Sequence, residues 1–197
     1  MLAFSFWLFT GIWFAVDVQA AIKTKAIIYK DGKITLNGTM AWDDSITGKR
    51  PGILIVHEWW GLADYAKGRA KQLAAAGYVT FALDMYGVDK ITKHADQAGK
   101  WAKQVNSNIE GWVRRAQSGL SVLKADGNVD GSRTAAIRYC FGDPTVMQMA
   151  YAGLDVKAVA RFHGSLPPAN ETVTSIKPRI FIAHGRVDPF ITAERIK

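Results

Sequence analysis

Short apolar segments of strand length recur along this chain, and segments with helical periodicity separate them. The apolar segments are residues 52–57, 78–83, 134–139, 156–163 and 179–184. A strand that is apolar without alternating polar residues is typical of a parallel sheet covered on both faces. Helices are predicted after residue 64, in two segments between 90 and 125, over 144–152, and from 192 onward. This alternation predicts an α/β fold, with a mostly parallel sheet and helices on both faces.

A hairpin and one helix can be bounded more closely. Residues 25–30 and 33–37 alternate in polarity, and Asp31-Gly32 between them is a strong turn signal. Asp64 is the predicted N-cap of the helix that follows it, and Gly77 is the predicted end of that helix.

The N-terminal segment is almost wholly apolar up to Val18, and Val18-Gln19-Ala20 is acceptable to signal peptidase. This pattern predicts a signal peptide at residues 1–20, cleaved after Ala20, and one domain over 21–197. The protein is then expected to be exported, either periplasmic or secreted, with no stable membrane insertion after cleavage. An uncleaved membrane anchor and a buried helix of the fold are the alternatives.

Charge and cysteine content exclude several classes of function. The formal net charge is +8 and the isoelectric point about 9.6, but Lys and Arg are scattered and form no run longer than a pair. Binding to nucleic acid is therefore not expected. The single cysteine excludes an intramolecular disulfide, and the four histidines lack metal-site spacing, so neither a metal nor a cofactor is expected. The oligomeric state is left open.

Cys140 directly follows the apolar segment 134–139, and Gly142 and a predicted helix come after it. This is the context of a nucleophile elbow, a strand-to-helix turn that exposes the nucleophile. The helix N-terminus would favour the thiolate there, and the N–H of Phe141 would donate to an oxyanion. The alternative is that Cys140 is a small buried apolar residue.

Several motifs in a fixed order accompany Cys140. They are His57-Glu58-Trp59-Trp60-Gly61-Leu62, Ala76-Gly77-Tyr78-Val79, Asp84-Met85-Tyr86-Gly87, Tyr139-Cys140-Phe141-Gly142, Phe162-His163-Gly164-Ser165-Leu166 and His184-Gly185-x-x-Asp188-Pro189-Phe190. With these motifs the chain resembles the dienelactone hydrolases, members of the α/β-hydrolase superfamily that use a Cys-Asp-His triad. The resemblance covers roughly residues 53–195.

The resemblance implies a role for each matching residue. Cys140 would be the nucleophile, and Asp188 the acid that orients the catalytic histidine. Glu58 would help convert the thiol to a thiolate, and the N–H of Trp59 would complete the oxyanion hole. For Glu58 the alternative is a structural ion pair at the end of a buried strand. Trp59 and Trp60 either line an acyl pocket or fill the core.

The chain departs from the family pattern at three positions and lacks one expected residue. Arg138 and Asp143 stand where the family has glycines, and Val88 stands where the namesake enzymes have a substrate-binding arginine. Arg138 is expected to crowd the turn, and Asp143 to raise the pKa of the thiol. No histidine follows Asp188. A sequence truncated at its C-terminus, without the last strand and helix of the fold, accounts for this better than His163 or His184 taking over as the base.

The sequence therefore predicts a hydrolase of small esters or lactones, similar to carboxymethylenebutenolidase, that works through an acyl-enzyme. Losing the base costs several orders of magnitude in rate, so the chain as written is expected to be inactive. The principal alternative is a non-catalytic binding protein with the α/β-hydrolase fold. A thiol redox protein is disfavoured because there is no second cysteine to resolve an oxidised Cys140.

Overall fold

The computed structural model describes residues 22–139, 145–164, 167, 169, 171 and 173–187. The predicted signal peptide and the helix predicted from residue 192 lie outside this part of the chain. Within it the strands are β1 (Ile22–Asp31), β2 (Ile34–Asp43), β3 (Arg50–Val56), β4 (Val79–Leu83), β5 (Val129–Tyr139), β6 (Ala158–Phe162) and β7 (Arg179–Ala183). The helices are α1 (Asp64–Ala75), α2 (Ala95–Asn106), α3 (Ile109–Ala125) and α4 (Thr145–Tyr151).

The strands form one seven-stranded sheet in the order β1-β2-β4-β3-β5-β6-β7. β2 is antiparallel to β1 and to β4, whereas β4, β3, β5, β6 and β7 are parallel to their neighbours. β3 lies between β4 and β5, so the residues that follow these three strands meet at one edge of the sheet. The predicted α/β-hydrolase architecture, a mostly parallel sheet with helices on both faces, is confirmed.

Alternation along β3 divides the core into two layers. Leu54 and Val56 face the side covered by α3 and α4, and Ile53 and Ile55 face the side covered by α1. Helix α1 contributes only small side chains to its layer, the buried residues Ala66, Ala70 and Ala74. Helix α3 contributes larger ones, Trp112, Leu120 and Leu123 among them. Both faces of the central strands are therefore buried, as their continuous apolar sequences predict.

Two predicted boundaries are wrong by one residue. The two-residue hairpin loop is Gly32-Lys33 rather than Asp31-Gly32, since Asp31 still pairs with Ile34, and Gly32 takes the positive φ of +57°. Asp64 is the first residue of α1 and not its cap. The N-cap is Ala63, which makes no side-chain capping bond, and the carboxylate of Asp64 instead lies in the positively polarised first turn.

Strand β5 is longer than predicted because it contains an irregularity. Pro51 pairs with Asp130 but the next residue, Gly52, pairs with Thr134, so residues 131–133 bulge out of the β3–β5 ladder. Because the bulge is polar, the apolar pattern of the sequence does not extend over the first half of β5. Across the described residues, no helix is both long enough and apolar enough to span a bilayer.

Candidate active site

Polar residues lie together where the parallel strands end. His57 and Glu58 follow β3, Asp84 follows β4, and His163 and His184 follow β6 and β7. β5 ends at Tyr139, directly before Cys140. Of the predicted site residues the structure describes Glu58 and Trp59; Cys140, Phe141 and Asp188, together with Asp143, lie outside the described residues.

The buried side chain of His57 connects the segments after β3 and β4. Its Nε2 accepts a hydrogen bond from the N–H of Met85 at 3.1 Å, and its Nδ1 contacts the carbonyl oxygen of Glu58. Because Nε2 acts as an acceptor, the ring is the neutral tautomer with its proton on Nδ1, donated to Glu58. His57 therefore holds the main chain at Glu58 in place.

Asp84 and Tyr86 fix the second of these segments. The carboxylate of Asp84 accepts from the N–H groups of Tyr86 and Gly87, both at 2.9 Å, and from that of Asn37 at 3.2 Å. The hydroxyl of Tyr86 then donates to the carbonyl oxygen of Trp59 at 3.1 Å. The side chain of Tyr86 thus connects the loop that carries Trp59 to the segment that follows β4.

Gly61 allows the loop after β3 to lie directly against residues 90–92. Its φ is +90°, and a Cβ at this position would overlap the carbonyl oxygen of Lys90. Close to it, the N–H of Thr92 donates to the carbonyl oxygen of Trp60 at 3.0 Å. Only glycine combines this backbone conformation with this approach, which accounts for the glycine in the His57–Gly61 motif.

The half-buried carboxyl group of Glu58 lines a cavity of about 570 Å³. The other walls come from the loop after β3, the start of α1 and residues 91–93: Trp60, Ala63, Asp64, Tyr65, Ile91, Thr92 and Lys93. The rings of Trp59 and Trp60 contact each other edge to face at 4.8 Å. Trp60 therefore lines a pocket, which is one of the two roles predicted for the tryptophan pair.

Aromatic contacts connect this cavity to the end of β5. The ring of Tyr65, in the cavity wall, meets the ring of Tyr139 edge to face at 5.6 Å, and Tyr139 stacks on Phe162 at 5.0 Å. The guanidinium of Arg69 lies over the rings of both tyrosines. The cavity that holds Glu58 is therefore built against the residue that immediately precedes Cys140.

Burial and a nearby cation act in opposite directions on Glu58. Burial raises the pKa of its carboxyl group above the ordinary value, and the positive charge of Arg138 partly lowers that pKa again. Arg138 is 1% exposed and pairs with Val56, two residues before Glu58, across the β3–β5 ladder. The side chain of Arg138 is accommodated within the core, and its charge acts on Glu58. The turn that Arg138 is expected to crowd lies outside the described residues, so that expectation stays a prediction.

A second arginine is buried beside Arg138. Arg161 is also 1% exposed, and the two residues are direct partners on β5 and β6. A Cβ at Gly164, whose φ is +131°, would overlap the guanidinium of Arg161. The glycine of the His163-Gly164-Ser165 motif thus makes room for a charged side chain in this protein.

His163 and His184 lie together at the ends of β6 and β7. Their rings stack with centroids 5.9 Å apart, and the N–H of His163 donates to the carbonyl oxygen of Ala183 at 2.9 Å. His163 has a φ of +63°. The main chain of His163 thus takes part in hydrogen bonding at the end of the strands. Within the described part of the chain, no three His, Cys, Asp or Glu side chains are grouped closely enough to share a metal ion.

Two contributors to the site were not predicted. Tyr86 belongs to a quoted motif, but its bond to Trp59 joins positions 27 residues apart, and only the fold reveals it. Tyr65 falls within a predicted helix and has no predicted role in the site. The sequence offers a weak indication that Tyr65 lines a pocket. An exposed aromatic residue in the first turn of a helix that follows a strand end is well placed to do so.

Comparison with known proteins places these features in a family. The profile of the dienelactone hydrolase family matches residues 36–197. The solved structure named m3DLH is 33% identical with a TM-score of 0.84, over 89% of this chain and 74% of that one. A dienelactone hydrolase-like promiscuous phosphotriesterase from metagenomic libraries gives 34% identity, a TM-score of 0.84 and the same coverage.

A curated relative agrees with these structures. "Putative carboxymethylenebutenolidase" of Aquifex aeolicus (strain VF5) is 25% identical over 151 residues, which are 74% of this chain and 65% of that protein. The chain thus spans less than two thirds of the length of this relative. Because the family profile runs from residue 36 to residue 197 and takes in every strand end around the cavity, the chain belongs to the dienelactone hydrolase family.

Proposed function

We propose that this protein hydrolyses small carboxylic esters or lactones, with Cys140 as its nucleophile. The observation that carries the proposal is the position of Glu58. Its carboxyl group, with a raised pKa, lines a cavity whose wall packs against Tyr139, the residue before Cys140. A carboxylate with a raised pKa is a stronger base and is suited to accept the proton of a thiol.

The proposed reaction proceeds in two steps. The Glu58 carboxylate accepts the proton from Sγ of Cys140, and the thiolate attacks the carbonyl carbon of the ester. The N–H groups of Trp59 and Phe141 donate to the oxyanion that forms. The C–O bond then breaks, the alcohol leaves with the proton, and a thioester remains on Cys140. Water then hydrolyses the thioester and restores the thiol, a step that would need a triad histidine oriented by Asp188; no histidine follows Asp188 in this sequence.

The bond from Tyr86 to Trp59 supports the second oxyanion donor. An oxyanion-hole N–H must be held in place before charge develops, and the Trp59 peptide is fixed by Tyr86 on one side and by the His57 contact to Glu58 on the other. The cavity of about 570 Å³ lies within the range of small-molecule sites, and Trp60, Tyr65 and Ile91 give it apolar walls.

Acylation of Cys140 tests the proposal without requiring turnover. Mixing the 197-residue chain with p-nitrophenyl acetate should release about one equivalent of nitrophenolate rapidly. Intact-mass analysis and peptide mapping should place the acetyl group on Cys140, and Cys140→Ala should abolish both signals. In Glu58→Gln the acylation rate should fall and lose its dependence on ionisation of the carboxyl group.

A thiol reagent makes a negative result in this assay interpretable. If 5,5′-dithiobis(2-nitrobenzoate) modifies Cys140 but the ester leaves no adduct, the thiol is accessible and not activated. That outcome contradicts the hydrolase proposal and favours the non-catalytic binding protein. Unchanged burst kinetics in Glu58→Gln would instead remove Glu58 from the mechanism while leaving Cys140 in it.

An aryl phosphotriester is a second substrate class to compare. A structural neighbour 34% identical to this chain is named a promiscuous phosphotriesterase. The same assay with paraoxon should then phosphorylate Cys140 and release nitrophenolate once. An adduct from the ester but none from paraoxon would restrict the protein to carboxylic substrates.

A further inference from the structure

A second cavity, of about 290 Å³, shares no lining residue with the cavity that holds Glu58. It is enclosed by the turn end of β2, the loop after β4, and helices α2 and α3. Its lining includes three aromatic residues and three cations: Tyr86, Trp101, Trp112, Lys90, Arg114 and Arg115.

The aromatic residues form a preorganised apolar wall. The ring of Tyr86 lies 5.4 Å from that of Trp101 and 6.0 Å from that of Trp112, the latter pair at 86°. Trp112 is 6% exposed and belongs to the core, whereas Trp101 is only half-buried. These rings thus lie at different depths around one opening, where a flat ring can contact them.

Three cations line the cavity, and two of them pair with a single carboxylate. The buried carboxylate of Asp31 accepts from Nε of Arg114 at 2.8 Å and from Nε of Arg115 at 3.2 Å. Lys90 adds a third positive charge to the lining. Each guanidinium carries five donors, so the Nη groups of Arg114, which lines the cavity and is 64% exposed, retain donor capacity.

Anchoring by Asp31 also makes Arg114 a better anion ligand. A guanidinium held at Nε presents its remaining fork in a fixed direction, and that fork matches the geometry of a carboxylate. A cavity of this volume suits a molecule with one ring. We propose that this cavity is a binding site for a small aromatic monocarboxylate, with the ring against Trp101 and Tyr86 and the carboxylate on Arg114.

Ligand-observed ¹⁹F NMR with 4-fluorobenzoate tests the proposal on the whole chain. The probe should bind saturably, with a dissociation constant on the order of 1 mM for so small a ligand. Its neutral analogue 4-fluorobenzamide should bind at least fivefold more weakly, because it lacks the charge that Arg114 recognises. Arg114→Gln and Trp101→Leu should each weaken binding of the carboxylate at least fivefold.

Two controls keep the result specific. Lys71→Gln removes the same unit of charge from an exposed position on α1, and it should leave binding within twofold of the unmodified protein. Alkylating Cys140 with iodoacetamide should also leave binding unchanged, since the proposed site is separate from the one that holds Glu58. Equal binding of the acid and the amide, wild-type affinity in both Arg114→Gln and Trp101→Leu, or loss of binding on alkylation would each overturn the assignment.

Discussion

Glu58 is the residue at which burial and charge act on one carboxyl group in opposite directions. Burial makes the larger contribution and raises the pKa, and Arg138 lowers it by less. The ionised form of Glu58 is therefore less favourable in the folded protein than in the unfolded chain. Two roles are predicted for Glu58: thiol activation and an ion pair at a strand end. They are compatible, because Arg138, the cation that stabilises the Glu58 carboxylate, belongs to β5, the strand that leads to Cys140.

The sign of this effect predicts a pH-dependent stabilisation by Glu58→Gln. Because the folded-state pKa lies above the ordinary value of 4.5, the wild-type protein loses stability as pH rises from that value through the folded-state pKa. Glutamine mimics the protonated form and avoids this loss. The Tm of Glu58→Gln should exceed that of the wild type at about pH 8, and the difference should vanish at about pH 3.

The exposed Glu171 provides the matched control. Glu171→Gln should leave Tm nearly unchanged at both pH values in thermal denaturation followed by circular dichroism. A Glu58→Gln variant that is less stable than the wild type at neutral pH would show that the attraction of Arg138 outweighs burial.

At the scale of elements, one buried carboxylate joins the β1–β2 hairpin to helix α3. Asp31 is the last residue of β1, its side chain is 1% exposed, and it pairs with Arg114 and Arg115. Arg115 in turn donates to the carbonyl oxygen of Met85 after β4. Three elements that are distant in sequence are held together here by charge in addition to apolar packing.

Asp31→Asn should therefore be strongly destabilising. The substitution keeps the shape of the side chain but leaves a mostly buried guanidinium without its carboxylate, which costs about 3–5 kcal/mol in buried pairs. Urea denaturation should report this as a lower free energy of unfolding at an unchanged m-value. Arg114→Gln removes the exposed partner instead and should cost less than about 1 kcal/mol. Similar losses in both variants would contradict the asymmetry in burial.

The sequence predicted the sheet well because continuous apolar segments such as 52–57 report burial locally. It placed the hairpin loop one residue early, because the Asp31-Gly32 pair has the composition of a turn although Asp31 is fixed by α3, far along the chain. It shortened β5, because the bulge at 131–133 is polar. Glu58 and Trp59 were found by motif. The contacts that support them come from Tyr86, which follows β4, and from Arg138 on β5. These residues are distant in sequence, and a local pattern does not reveal such pairs.

At the scale of the whole molecule, the described part of this basic protein has a sheet that ends in an apolar strand. β7 lies last in the strand order, and Ile180, Phe181 and Ile182 are 39%, 57% and 39% exposed. An exposed apolar edge strand offers unpaired backbone groups to another chain. The net charge of +8 opposes that association by repulsion, which salt screens.

Association should thus increase with salt and depend on β7. Light scattering during incubation at 37 °C should rise severalfold faster in about 1 M NaCl than in about 0.05 M NaCl. Ile182→Lys should suppress that rise by placing a charge on the edge. Val88→Lys adds the same charge at an exposed loop position, and it should protect much less. Equal protection by both variants would assign the effect to net charge alone.

The antiparallel hairpin at the opposite edge also determines how the chain can assemble during synthesis. The ten residue pairs of β1 and β2 form across a two-residue loop, so they need only the first part of the domain. β3 can pair with β5 only after α1, β4, α2 and α3 have been made. A growing chain therefore carries a folded hairpin and an open β3 edge until β5 has been made, and during that interval the apolar residues of β3 can pair with other chains.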